Sequence, residues 1–421
     1  MSTSHGNDAQ IAAQSDQELF FGQRARGGFT APTRLIWGDH CAASWLTQMA
    51  EHTSSRCLVV CDPALEHKAP VVALRTALGA RALWLTNREM PETAWVSEHT
   101  AQLDWSSIGW VVAFGGGSAL DSAKALLGEW LFDGGYDGVG MGARRGQLTR
   151  AGITKPLFVA VPSTAGSGAE TSRYVVCYDK SGARWKKSHG KSWALVADVA
   201  LLDPQMLAGA PPRVFAEPAF DAFVHCCESY LCQGEASDIT RSLCLESIRT
   251  LSRVVRILLT GEQLSMNDIA HLQVAACMAG VAISNARTGH VHEAGGAALE
   301  WCDGLTHAQT LWIFARRGFA QTARSAQGAR LQQELAQAFG CTSMSDALAM
   351  WEQLLARAGS LALITKSVAA LATSPRIAEA RASVVRRVAD DAVWCTKESP
   401  SPITEADAEE MARCLEGVSR D

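Results

Sequence analysis

The 421-residue sequence holds thirteen cysteines but no C-x-x-C pair among them, which removes the usual cysteine-rich zinc sites. Cys226 and Cys227 are adjacent, a poor arrangement for a routine disulfide, so reduced thiols and a cytoplasmic setting are expected. Residues 1–25 contain no apolar h-region, so no secretory signal is expected, and their polar make-up predicts a flexible tail. No apolar run is long and unbroken enough to read as a membrane span. A net charge of −5 lacks the basic excess that draws nucleic acid or anionic lipid, so neither partner is expected. Any anion recognition must therefore be local. Internal repeats and low-complexity blocks are absent too.

What is present is apolar and well mixed. Hydrophobic residues at 48% and charged ones at 19% describe a buried globular enzyme, and the length exceeds one ordinary core. Leu58–Pro63, Ala82–Leu85, Ile108–Phe114 and Leu157–Pro162 read as strands, with a helix over Val71–Gly79. This alternation predicts a parallel sheet covered on both faces. Arg173–Asp179 and Ala194–Leu202 read as strands enclosing a basic stretch that contains Arg184, Lys186, Lys187 and Lys191. Beyond Asp203-Pro204 the periodicity becomes helical, over 236–259, 266–286, 328–339, 344–358, 374–394 and 404–417. The expected organisation is a tail (1–25), an α/β nucleotide-binding domain (26–205) and a helical domain (206–421).

Chemistry-bearing residues gather at a few places. Asp221 and His225 lie four apart in an apolar stretch, Ala219–Glu228, so on a helix they share one face. A carboxylate and an imidazole so placed make half of a divalent-metal site, or a plain buried Asp–His hydrogen bond. His292 and His307 would complete a one-carboxylate, three-histidine set. Gly115–Ser118 follows a buried strand and precedes a helix containing Asp121 and Lys124, which suits a pyrophosphate at a helix N-terminus. The alternative is an ordinary tight turn, and the G-x-G-x-x-G fingerprint is missing. Asp62 ends a strand where an acid can accept from a ribose hydroxyl and repel a 2′-phosphate, which favours NAD(H) over NADP(H), or where an aspartate simply caps a turn. Ser163 and Thr164 open a hydroxyl- and glycine-rich loop after another strand.

In this order the segments resemble the iron-dependent (group III) alcohol dehydrogenase family, related to glycerol dehydrogenase and dehydroquinate synthase. The residues that carry it are Gly115–Lys124 (GGGSALDSAK), Pro162–Glu170 (PSTAGSGAE), Ala197–Pro204 (ADVALLDP), Asp221–Glu228, Ser284–His292 and Ser399–Asp407. The resemblance implies a dehydroquinate synthase-like fold: an α/β dinucleotide-binding domain with a parallel sheet, followed by an all-α metal-binding domain. It implies that Asp221, His225, His292 and His307 are the metal ligands, Fe(II) or Zn(II) both suiting the set. It likewise makes Asp62, Gly116, Gly117, Ser118, Asp121, Ser163, Thr164 and Lys187 nucleotide-binding residues. The implied chemistry is interconversion of a small aldehyde and its primary alcohol. The metal polarises the substrate oxygen and hydride moves to or from nicotinamide C4. A homodimer is implied as well.

Departures from the family pattern carry information. Gly296 stands where the family often has a second histidine, so the proton-relay role attached to that histidine has no side chain here. The interval from His292 to His307 is one residue longer than the family's, and Lys191 and Trp193 replace its usual serine and proline. Arg173, Arg184, Lys186 and Lys191 add positive charge, which fits either a solvated hairpin or a clamp for an anionic substrate. Phosphonoacetaldehyde reductases within the family carry a similarly basic hairpin. The expected reaction is therefore reduction of an anionic aldehyde such as phosphonoacetaldehyde, with Arg173 and Lys191 as candidate substrate residues. A general short-chain alcohol dehydrogenase and a non-catalytic nucleotide-binding descendant are the alternatives.

Overall fold

The computed structural model describes residues 28–87, 89–132, 154–181, 185–390 and 398–417, the side chain of His189 excepted. The tail expected over 1–25, and Arg184 of the basic stretch, lie outside the described residues. The chain forms two compact units, one running through Thr164 and resuming over Gly168–Ala208, the other made of Ala165–Ser167 and the chain from Gly209 onward.

The first unit is built on a six-stranded parallel sheet in the order β1-β8-β5-β4-β2-β3. Its strands are β1 (Arg34–Trp37), β2 (Arg56–Cys61), β3 (Ala82–Thr86), β4 (Ile108–Gly115), β5 (Leu157–Pro162) and β8 (Val199–Leu202). Helices α1 (Cys41–His52), α2 (Ala69–Leu78), α3 (Thr93–Gln102) and α4 (Gly117–Leu131) supply the crossovers among the described residues. The central strands bury nearly every residue, as continuous apolar runs must in a parallel sheet covered on both faces. Because β2 leads to β3 on one side and β4 returns to its other side, the winding direction reverses between β2 and β4. Ligands of open α/β sheets bind at the carboxyl ends of strands flanking such a reversal.

Two expectations change here. Lys186–Lys191 is itself a strand, β7, paired antiparallel with β6 (Tyr174–Asp179), and not a loop between strands. The strand expected over Ala194–Leu202 begins only at Val199, because Ser192 caps a 3-10 turn over Trp193–Leu195.

The second unit is helical: α5 (Pro212–Leu231), α6 (Asp238–Thr260), α7 (Met266–Asn285), α8 (His290–Leu299), α9 (His307–Thr322), α10 (Ala326–Ala338), α11 (Met344–Arg357), α12 (Ser360–Ala372), α13 (Ile377–Asp390) and α14 (Glu405–Ala412). Pro212 at the first helical position starts α5, where its missing N–H costs nothing. One flank of α5 carries Phe220 and Phe223, whose rings pack edge-on at 5.4 Å and 5.3 Å against Trp351 and Phe339. Removing one such buried ring costs about 3–5 kcal/mol, so this cluster locks the rotation of α5. Helix α7 is long and apolar enough to cross a bilayer by length and composition, and two-thirds of its apolar window is buried within the protein, beside α5 and α6.

Candidate metal and nucleotide sites

With the aromatic flank of α5 held, Asp221, His225 and Glu228 fall at i, i+4 and i+7 on another face. Asp221 Oδ1 lies 3.7 Å from His225 Nε2 and 3.4 Å from Nε2 of His292, which arrives from α8. The two imidazoles stack with centroids 4.6 Å apart. Ligand atoms of these three residues all lie within 4.8 Å of one another. Two donors about 2.1 Å from one tetrahedral ion sit about 3.4 Å apart, so the spacing fits a shared divalent cation. Asp221 Oδ1 and His292 Nε2 are buried and neither has a hydrogen-bond partner. Buried polar atoms left this way are costly, and an ion between them removes the cost.

His307 opens α9, its ring centroid 5.5 Å from that of His292. It stands beside the three-residue cluster, whereas the resemblance had placed it within a four-ligand set. Gly296 is buried within α8.

The charges respond to this crowding. Burial disfavours a charged Asp221, but His225, His292 and His307 outweigh it and hold the carboxyl well below its usual range. Burial, together with repulsion from His292, lowers His225 to about 4 despite Asp221. Burial also opposes charge on His292, yet Glu228 and Asp221 beside it raise its pKa to about 9.

Glu228 is the residue that motif reading quoted without giving it a task. It is 1% exposed; its Oε2 meets His292 Nδ1 at 2.6 Å and its Oε1 accepts from Val291 N–H at 2.8 Å. Burial pushes its pKa up, but His292 and His290 more than reverse this and keep it ionised. An ionised carboxylate only accepts, so Nδ1 keeps its proton, and it is Nε2, facing Asp221, that gives up the second proton when a cation takes its lone pair. A carboxylate behind a histidine ligand in this way fixes which ring nitrogen faces the metal. The signal in the sequence was its position seven residues after Asp221. His290, by contrast, spends its Nε2 on the Gly318 carbonyl at 3.1 Å.

In the first unit the expected nucleotide residues converge at the carboxyl ends of β2, β4 and β5. Asp62 N–H donates to the Phe114 carbonyl, and Ser163 N–H to the Gly115 carbonyl, each at 2.9 Å. Gly115 has φ +155°, and a Cβ there would lie 2.4 Å from that of Ala119, so only glycine fits comfortably. Gly116 caps α4 with no side-chain cap bond, which leaves the first amides of the helix, at Gly117 and Ser118, available as anion donors. Asp62 already accepts from Ala64 N–H through Oδ1 at 2.9 Å.

Asp121 is placed differently. It is buried, its Oδ2 accepts from Val176 N–H at 3.1 Å, and burial raises its pKa to about 6. Its neighbour Lys124 is fully buried and donates to the Ser172 and Tyr174 carbonyls at 2.7 and 2.9 Å. Together they tie α4 to the β6–β7 hairpin. Lys187 lies on β7, and its charge reaches Asp121. Arg173 stacks over Trp193 (5.2 Å) and Tyr174 (5.9 Å), and Lys191 lies 6.0 Å over Tyr174.

Residues 32–204 match the iron-containing alcohol dehydrogenase family model, and residues 215–414 match the C-terminal model of the Fe-containing alcohol dehydrogenase family. The chain belongs to the iron-containing alcohol dehydrogenase family. Members and neighbours of this family are oxidoreductases. The chain is 30% identical to the probable alcohol dehydrogenase EutG of Escherichia coli, across 67% of this chain and 71% of the relative. It is 29% identical to the sulfoacetaldehyde reductase of Bilophila wadsworthia, across 57% of this chain and 61% of the relative. The solved sulfoacetaldehyde reductase of Bifidobacterium kashiwanohense in complex with NAD+ superposes with a TM-score of 0.74 at 20% identity, covering 94% of this chain and 99% of that one. These matches agree with the expected fold, a parallel-sheet α/β domain followed by a helical one.

Proposed function

We propose that this iron-containing alcohol dehydrogenase family member interconverts a small aldehyde and its primary alcohol with NAD(P)H, and that its physiological substrate is an anionic aldehyde such as phosphonoacetaldehyde, reduced to 2-hydroxyethylphosphonate. The observation that carries the reading is the buried Asp221–His225–His292 cluster with two ligand atoms lacking any hydrogen bond. His307 joins it as fourth ligand, and Fe(II) or Zn(II) both suit these donors. When bound, such an ion supplies Lewis acidity to a carbonyl oxygen, and the nicotinamide supplies the hydride.

The chain's own residues prepare that chemistry. Asp221 offers one negative charge against a divalent ion, so the donor set cancels only half of it and the site stays electrophilic. Glu228 holds His292 in the tautomer with Nε2 free. Gly116, Gly117 and Ser118 offer helix-end amides to the pyrophosphate, with Ser163 and Thr164 beside them, while Asp62 favours an unphosphorylated ribose and hence NAD(H). Lys187 completes the nucleotide set, and Asp121 supports it from behind by tying α4 to the β6–β7 hairpin. Reduced thiols at all described cysteines support a cytoplasmic setting, and the exposed Trp37 on edge strand β1 supports a homodimer.

An anionic substrate is supported by Arg173 and Lys191, and by a relative that reduces sulfoacetaldehyde, a two-carbon aldehyde bearing a negative group. The aromatic partners of both cations favour a second reading, a packed hairpin on a general short-chain alcohol dehydrogenase. NADH oxidation by the Fe(II)-loaded protein decides between them. A preference of about a hundredfold in kcat/KM for phosphonoacetaldehyde over propanal, about 2.7 kcal/mol, that is lost in Arg173→Ala and Lys191→Ala supports the anion reading. Equal rates on both aldehydes reject it.

A further inference from the structure

Glu217 lies one turn before Asp221 on α5 and is 5% exposed. Its Oε1 accepts from Arg213 Nε at 2.8 Å, Gln309 Nε2 at 2.7 Å and Ser360 Oγ at 2.7 Å, and its Oε2 accepts from Thr306 Oγ1 at 3.0 Å. Thr306 and Gln309 form the capping box of α9, the helix whose first residue is His307. Glu217 decides how both cap side chains turn. With its hydroxyl hydrogen committed to Glu217, Thr306 presents a lone pair to Gln309 N–H. With its NH2 group on Glu217, Gln309 must aim Oε1 at Thr306 N–H, which it meets at 2.9 Å. The carboxylate also faces the N-terminal ends of both α9 and α12, where partial positive charge stabilises an anion.

We propose that Glu217 is a positioning residue for His307: it fixes the start of α9 to the same helix that carries Asp221 and His225, and so sets where this fourth ligand stands relative to the other three. The proposal rests on the reading of His307 as a ligand. A carboxylate at this place is matched to four donors; an amide of the same shape brings two hydrogens of its own and must turn at least one of the four away.

The test uses Co(II) as probe on the full chain, with affinity measured by chelator competition and coordination by the visible absorption bands. Glu217→Gln is compared with the parent protein, and both are repeated in a His307→Ala background. The expected result is about tenfold weaker Co(II) binding with altered bands in Glu217→Gln, and a change of less than about twofold when His307 is already gone, the signature of two residues acting as one. Equal losses in both backgrounds, or no loss in the parent background, overturn the proposal. If His307→Ala alone leaves affinity and bands unchanged, the ligand reading of His307 fails, and the inference built on it falls for that separate reason. Should Glu217→Gln not fold, Thr306→Val severs the Oε2 link while leaving the carboxylate in place, and the same non-additivity with His307→Ala is required of it.

Discussion

Replacing Glu228 by glutamine tests the tautomer argument with almost no change in shape. The parent contact is a 2.6 Å bond between a buried carboxylate and His292 Nδ1, with the second oxygen held by Val291 N–H. In the variant the amide oxygen still suits Val291, and the NH2 group then faces Nδ1. Two donors cannot meet, so the imidazole moves its proton to Nε2, the nitrogen that looks toward Asp221. A protonated Nε2 cannot bind a metal. Loss of an outer-shell partner of this kind weakens metal binding by roughly 10–100-fold, about 1.4–2.8 kcal/mol. The folded protein loses a charge-assisted hydrogen bond as well, about 1.5–3 kcal/mol. Zn(II) affinity by competition with a fluorescent chelator, alongside thermal unfolding of the metal-stripped protein, separates the two effects. Binding unchanged within about twofold would refute the assignment of Nδ1 as donor.

The other expectations are independent of one another. Gly116→Ala places a Cβ 3.1 Å from Thr164 Oγ1 and 3.3 Å from its Cγ2, at the proposed pyrophosphate site; the KM for NADH should rise about tenfold or more with little change in melting temperature. Gly318→Ala drives a Cβ to 2.4 Å from Val291 Cγ2, next to His292; overpacking of this size costs about 1–3 kcal/mol and should weaken metal binding too, as denaturant titration and chelator competition will show. Asp407 accepts a paired contact from Arg324 and caps α14 through Thr404; burial opposes its charge, but these bonds bring its pKa down to about 2. A depressed pKa contributes stability that is full above the ordinary carboxylate value and lost as the pH falls toward 2. Asp407→Asn should therefore cost about 1–2 kcal/mol at pH 7, allowing for the half-exposed Arg324, and the gap to the parent should close between about pH 4 and pH 2.

The sheet was legible in the sequence because its strands are short apolar runs stopped by Asp-Pro, glycine or Pro-Ser, and parallel strands leave few other ways to bury such runs. The helical domain was legible in outline: the period over 344–358 coincides with α11, which Ser343 caps. Helices α8, α9 and α12 did not stand out, since glycines, histidines and short apolar blocks blur a 3.6-residue period there. Lys186–Lys191 hid its strand because charge reads as loop, although a two-stranded ribbon can expose one face. Asp121 matched a motif, but only the fold shows that burial and the Val176 amide engage it. Glu228 and Glu217 were hidden for the opposite reason. Apart from the Arg213 contact to Glu217, each works by accepting hydrogen bonds from residues 60 to more than 140 positions away, and no local pattern records a partner at that distance.

The central claim is that Asp221, His225 and His292, with His307, hold a divalent ion on which aldehyde reduction depends. The most direct measurement is NADH oxidation with an aldehyde by protein stripped of metal by a chelator, verified by elemental analysis, then titrated anaerobically with Fe(II), alongside Asp221→Ala. Turnover should vanish on stripping, return with about one ion per chain, and stay absent in the variant. Undiminished turnover by verified metal-free protein, or full activity of Asp221→Ala, would contradict the account.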